Sequence, residues 1–301
     1  MGILLTGGNP PLHPLSPPAQ RIVCLSASGL DALMELGLEP IAGLQTGVAV
    51  QPEFYGDRVN TWVNAGSWLW PDFKTIRHLA PDLILGWRFP HRFYQRPLRA
   101  IAPLYLMAGS GYEAALLRLR YIAQWTDRGP EAEAAIAALD AQIQRYQQHI
   151  SPHHFKTVIM MGGSRFNIRL NRYPVEADTG TLGSLLSRFT HFPWTKPVQH
   201  QGEAGLVYLS LERIAAVNPE IIFVQSYGAT SGSSPRLLSQ ALSHHPLWQG
   251  LRAVQSDQVY EVDQFWHWGN GTRLLKLMLG RLLPLIYPHS FPVSMNAQFP
   301  T

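Results

Sequence analysis

Apolar residues recur at Ala132, Ile136, Leu139, Ile143, Tyr146 and Ile150, a 4-3-4-3-4 spacing that lays them along one stripe of a helix. The pattern predicts a helix over 130–150. Ala, Glu and Gln fill most of the other positions, and Pro130 suits a first helical position because its missing N–H needs no partner there. Glu131 and Glu133 lie near the positive end of the dipole, Arg145 and His149 near the negative end. At about 1.5 Å per residue such a helix is about 30 Å long, the width of a small domain.

Shorter periods flank it on both sides. Residues 21–26 form a β-rich run, Ser28 is placed to cap the helix LDALMELG that follows, and 40–44 read as a second strand. The aromatic stretch 45–70 is too long for a simple connection. FKTIRHLAPDLILG then reads as a helix, a proline break and a strand over 83–86. A loop, WRFPHRFY, leads to PLYLM at 103–107, and 112–125 predict another helix. Beyond the long helix the grammar returns, with strands at 157–161 and 258–262 and helices at 181–189 and 272–286. LERIAAVNPEIIFV at 211–224 matches FKTIRHLAPDLILG position by position, including Ile76/Ile214 and Pro81/Pro219. The expectation is an α/β fold of two lobes, each with a small, mostly parallel sheet covered by helices, joined by one spine helix. Its parts are a Pro-rich tether over 1–20, a lobe over 21–125, the turn and spine over 126–152, a second lobe over 153–288 and a tail over 289–301. A single stiff connecting helix implies little closure and a largely preformed cleft.

Composition narrows this picture. Hydrophobic residues make up 46% and charged residues 15%, so a sizeable core can form and global disorder is excluded. No apolar run approaches the ~18 residues of a membrane span. The net charge of +4 is spread without the Lys/Arg runs of a nucleic-acid arm, so no nucleic-acid partner is expected. Only four of the 24 basic residues are lysines (Lys74, Lys156, Lys196 and Lys276), which weakly favours an anionic ligand recognised by arginine. Cys24 stands alone in an apolar run and reads as a small core residue.

In mostly parallel sheets, ligands bind beyond the carboxyl ends of the strands. Those positions hold Trp87 and Arg88; Arg165 and Arg169 in GGSRFNIRLNRY, with Arg172 and Tyr173 nearby; Tyr227; and Trp266, His267 and Trp268. Trp68 and Trp70 in the long loop join them. Arginine pairs with carboxylate or hydroxamate oxygens while aromatic rings pack on an apolar skeleton, so the set suits a flat or chelated anion. There is no G-x-S-x-G, H-E-x-x-H or phosphate-loop motif. The pairs His153/His154 and His244/His245 lack metal-ligand spacing, so no metal bound directly by the protein and no covalent cofactor are expected.

RIVCLSASGLDALMELGLEPIAGL, PDFKTIRHLAPDLILG, the spine helix, LVYLSLERIAAVNPEIIFV and HPLWQGLRAVQSDQVYEVD, in that order, resemble the binding proteins that deliver iron–siderophore complexes to ABC importers. The resemblance spans about residues 20–288. It implies a monomeric, extracytoplasmic protein, periplasmic or membrane-anchored, with a ferric siderophore as ligand and an ABC permease as partner. GSRFNIRL and ILGWRF are similar to loops that supply binding arginines in the citrate- and hydroxamate-type branch. By that comparison Arg165, Arg169 and Arg88 contact the ligand and Trp266 forms a wall. The family also implies a glutamate on each lobe for permease docking; Glu212 matches one position, and Lys74 stands at the other with reversed charge. Two alternatives remain at this point: a corrinoid or haem carrier, with His267 as axial ligand, and a metal-chelating or hydrolytic enzyme on a similar frame.

Overall fold

Ile22, Val23 and Cys24 are three consecutive buried residues with apolar neighbours on both faces, the signature of a strand inside a parallel sheet. They form β1 (Ile22–Cys24) in a computed structural model that describes residues 15–44, 55–195, 205–227, 237–262 and 271–291. The chain divides into two units. The first runs to Gln142 and takes in the opening of the last helix, to Lys276; the second begins at Ile143 and takes the rest of that helix from Leu277.

In the first unit β1 is followed by α1 (Ala27–Glu35), β2 (Ala42–Gly43), β3 (Val63–Asn64), α2 (Phe73–His78), β4 (Leu83–Trp87), β5 (Leu104–Met107) and α3 (Tyr112–Thr126). The sheet order is β3-β2-β1-β4-β5 with every pairing parallel. All carboxyl ends therefore lie along one edge. Ser26, not Ser28, caps α1: its side chain accepts from Gly29 N at 3.1 Å, and Ser28 is buried inside the first turn. The stretch expected as one long loop contains β3 and a 3-10 turn at Gly56–Asn60; β3 sits at the sheet edge with Val63 exposed, which hides its strand pattern.

The long helix α4 (Gly129–Gln147) is present, and the unit boundary after Gln142 falls within it. Ala132, Ile136, Leu139 and Ile143 are buried as the spacing requires, whereas Tyr146 is only half-buried and Ile150 lies beyond the helix end. Within the first unit α3 and α4 are tied by Tyr112 donating to Asp140 and by Arg120 donating to both Glu133 oxygens at 2.7 and 3.0 Å.

The second unit contains β6 (Val158–Gly163), α5 (Arg165–Leu170), β7 (Tyr173–Glu176), β8 (Leu206–Leu209), α6 (Leu211–Val217), β9 (Ile221–Ser226) and β10 (Val259–Val262). Its order is β10-β9-β6-β7-β8. β10, β9 and β6 run parallel, but β7 pairs antiparallel with both β6 and β8. The helix expected over 181–189 is regular only at Gly183–Leu186, where buried Glu176 accepts from Leu182 N at 2.6 Å and Gly183 N at 3.1 Å and so opens it later.

The closing helix α7 (Thr272–Ile286) is amphipathic as expected, with Leu274, Leu275, Met278, Leu279, Leu282, Leu283 and Ile286 buried. Asp31 of α1 secures its start, accepting from Arg273 N at 3.1 Å and Leu274 N at 2.8 Å. Glu35, one turn on, accepts from Thr272 Oγ1 at 3.1 Å and Lys276 Nζ at 2.5 Å. Burial, and then the Glu35 charge, push the Asp31 carboxyl up to about 7. The folded chain thus holds a proton that the unfolded chain releases near its ordinary 3.8, and the associated stability is fully present below that value and lost as pH rises through about 7. We expect Asp31→Asn to flatten the slope of stability against pH between about pH 4 and about pH 8, measured by urea unfolding midpoints of variant and wild type.

Candidate functional site

At the carboxyl edge of the first sheet, β4 ends in Trp87 and passes directly into a kinked turn at Arg88–His91, in which Phe89 is extended (φ −111, ψ 126). The Trp87 N–H donates to His91 Nδ1 at 2.9 Å, and the Trp87 carbonyl oxygen lies 3.2 Å from the same ring nitrogen. His91 is fully buried, and burial lowers its pKa to about 4, so it is a neutral post holding the end of the strand. Behind Trp87 lies Arg118 of α3, only 3% exposed, its guanidinium 5.3 Å from the indole centroid. The same group donates to Ala108 O at 3.2 Å and Gly109 O at 2.8 Å, tying the end of β5 to that of β4. Desolvation lowers Arg118 to about 10, which still leaves it a cation at neutral pH.

Beside this corner the loop 66–71 doubles back on itself. Ser67 N donates to Trp70 O at 3.0 Å, and Trp70 N to Ser67 O at 3.2 Å. Gly66 has φ +102, and a Cβ there would stand 2.4 Å from Trp70 O, so only glycine closes this turn. The turn presents Trp68 and Trp70. Trp68 meets Phe89 edge-on at 6.1 Å, while Trp70 lies 6.4 Å from Tyr94, which in turn contacts Phe73 at 5.6 Å.

In the second unit β6 ends in Gly162-Gly163. Tyr227, just past β9, lies against Gly162, where a Cβ would meet its hydroxyl oxygen at 2.2 Å, and Tyr227 N donates to Gly163 O at 2.7 Å. Burial pushes the Tyr227 phenol up to about 12, so it stays a neutral hydroxyl. The run read from sequence as a loop, GSRFNIRL, is the helix α5. Ser164 and Asn167 form a capping box at its start: Ser164 Oγ accepts from Phe166 N at 3.2 Å and Asn167 Oδ1 accepts from Ser164 N at 2.9 Å. Arg165 and Arg169, four residues apart, share one exposed face of it. Phe166 and Leu170 are also exposed, and Arg172 stacks on Tyr208 at 5.1 Å. Tyr173 is instead a core residue, 2% exposed.

Among the sequence-derived candidates, Trp68, Trp70, Trp87 and Arg88 gather in the first unit, and Arg165, Arg169 and Tyr227 in the second. Trp266, His267 and Trp268 lie outside the described residues. Glu212 is exposed in the first turn of α6; the Ser210 hydroxyl, the backbone and Asn171 hold its carboxyl below the usual range. Asn171 Nδ2 donates to it at 3.1 and 3.0 Å. Lys74 occupies the matching turn of α2, where the neighbouring acid, Asp72, is engaged as the cap, accepting from Lys74 N, Thr75 N and Thr75 Oγ1. Both histidine pairs are exposed, and among the described residues no group of three His, Cys, Asp or Glu side chains could hold a metal.

Residues 22–264 match the periplasmic binding protein family. The chain belongs to that family. Among its relatives, the Fe(3+) dicitrate-binding periplasmic protein FecB of Escherichia coli K12 is 28% identical over 248 residues, covering 81% of this chain and 77% of that one. The Fe(3+)-citrate-binding protein YfmC of Bacillus subtilis is 22% identical over 253 residues, covering 81% and 73%. The structure of Staphylococcus aureus SirA complexed with staphyloferrin B shares the fold with TM-score 0.71 at 18% identity, over 89% of this chain and 93% of that one. A periplasmic binding protein is a carrier of solute and not an enzyme, so the hydrolytic alternative is set aside.

Sequence reading missed His91 and Arg118. The one available signal was an arginine amid Ala115, Leu119 and Ile122, on the stripe that packs α3. Because His91 titrates low, the stability it contributes is present above about pH 6.5 and lost as pH falls through about 4. Asp31 acts in the opposite sense over the same range, so the two separate only by substitution. We expect His91→Asn to remove about 3 kcal/mol of acid-dependent destabilisation relative to wild type between those limits, read from tryptophan-detected denaturation.

Proposed function

We propose that this periplasmic binding protein captures a ferric siderophore of the carboxylate or hydroxamate type and delivers it to an ABC permease. The observation that carries the reading is the pair Arg165 and Arg169, on one exposed face of a capped helix at the carboxyl end of β6. Two guanidinium forks at this spacing can each take a carboxylate or hydroxamate oxygen pair of a chelate. Iron is then held by the siderophore's oxygens and never by the protein. In the first unit Arg88 offers a further cation, and Trp87, Trp68 and Trp70 offer ring faces for the ligand skeleton. Trp266 remains a candidate wall. The names of FecB and YfmC, both ferric-citrate binders, favour a citrate-type chelate.

The protein works as an extracytoplasmic monomer. Glu212 serves as a docking acid for the permease, and Lys74 calls for an opposite charge on the permease at the other contact. Glu212→Ala then lowers uptake without changing ligand affinity.

Titration of intrinsic tryptophan fluorescence with ferric dicitrate, a ferric hydroxamate, a ferric catecholate, haem and cobalamin tests the ligand class. Quenching by ferric dicitrate or the hydroxamate is expected, with Arg165→Gln and Arg169→Gln each weakening binding about tenfold or more, as for loss of a hydrogen bond to a charged group. Folded protein that responds to neither chelate would overturn the reading, and a visible-spectrum change with haem or cobalamin would transfer the site to those ligands.

A further inference from the structure

The crossover from β4 to β5 has an unusual balance of charge. From Leu83 to Tyr112 the chain contains no Asp or Glu, yet it carries Arg88, Arg92, Arg96 and Arg99. Leu98, fully buried, anchors this segment to the sheet, and Arg92, Arg96 and Arg99 stand exposed on its outer side. Large rings accompany them. Phe93 is 65% exposed and Phe89 52%, in edge contact at 6.0 Å. The Arg92 guanidinium lies 4.9 Å over the Phe93 ring.

We propose that this face of the first unit is a docking surface for an anionic phospholipid membrane. Exposed aromatic rings among arginines, on a segment that carries no carboxylate of its own, match the chemistry of a bilayer interface. There Trp and Phe settle at headgroup depth, and guanidinium groups pair with phosphates while their stems lie along apolar surface. Charge complementarity chooses the lipid: the cationic strip gains from anionic headgroups and nothing comparable from zwitterionic ones. No spanning helix is required, since contact of this kind is peripheral. The proposal is independent of which chelate the protein carries.

Flotation of the full chain with vesicles tests it, comparing equimolar phosphatidylglycerol and phosphatidylcholine with phosphatidylcholine alone. Partition onto the anionic vesicles should exceed that onto the neutral ones by about tenfold or more at low salt and fall as salt rises. The combined variant Arg92→Gln, Arg96→Gln, Arg99→Gln should reduce anionic partition about tenfold or more. Phe93→Ser should reduce the part that persists at high salt. All four substitutions fall on exposed positions, and unchanged thermal unfolding confirms that the variants fold. Ferric dicitrate titration of the same variants keeps this question apart from ligand capture, because none of the four residues belongs to that site. Equal partition onto both vesicle types, or partition indifferent to these substitutions, would overturn the proposal. So would binding to polyglutamate without any binding to vesicles, which would assign the face to an acidic polypeptide.

Discussion

Parallel pairing is the constraint on which the rest depends. Once β1 accepts β2 and β4 as parallel neighbours, every connection must cross back over the sheet, and every strand delivers its carboxyl end to the same edge. The first unit therefore collects the end of β4, the loop after β3 and the end of β5 in one place. The second unit achieves the same with three parallel strands, β10, β9 and β6, and then turns to antiparallel pairing through β7 and β8. Arg165, Arg169 and Tyr227 lie at the parallel part, beyond β6 and β9.

Holding those ends in place falls to buried polar groups. His91 accepts from the Trp87 N–H, and Arg118 grips the carbonyls that follow β5 while supporting the Trp87 ring. Both are costly to bury: desolvation drives His91 to its neutral form and lowers Arg118 without discharging it. A cation retained behind an aromatic face leaves a positive potential at the strand end, which suits an anionic chelate. Asp31 does comparable work at the start of α7, where its carboxyl oxygens occupy backbone N–H groups that no residue of the helix itself can satisfy.

The matching segments around Pro81 and Pro219 take the same structural part. Each begins at an N-cap residue, Asp72 with a side-chain cap and Ser210 without one, runs through a short helix with a buried isoleucine, and enters a buried interior strand. Lys74 and Glu212 are consequently equivalent in place and opposite in charge. The cap itself differs in kind. Asp72 spends its carboxylate on the helix N-terminus, whereas Glu212 is steadied by Ser210 and Asn171 and keeps its charge at the surface.

Local pattern was sufficient for the α/β class, the long helix, the closing helix and the helix–proline–strand repeat, because each rests on periodicity and breakers within about 20 residues. The strand-end rule then pointed from sequence to Trp87, Arg88, Arg165, Arg169 and Tyr227. Tertiary structure alone decided the rest. α5 reads as a loop until Ser164 and Asn167 are seen to cap it; β3, two exposed residues at a sheet edge, carries too little apolar pattern to register, and β8, apolar in sequence, is only partly covered at the edge of its sheet. Tyr173 reads as an aromatic near a strand end until β7 is placed in the core. His91 and Arg118 are recognisable only through partners that folding brings to them, and Asp31 through a helix that begins some 240 residues later. A polar residue's role is set by the groups that meet it in space, and one chain's sequence records those meetings far less plainly than it records the period of its own helices and strands.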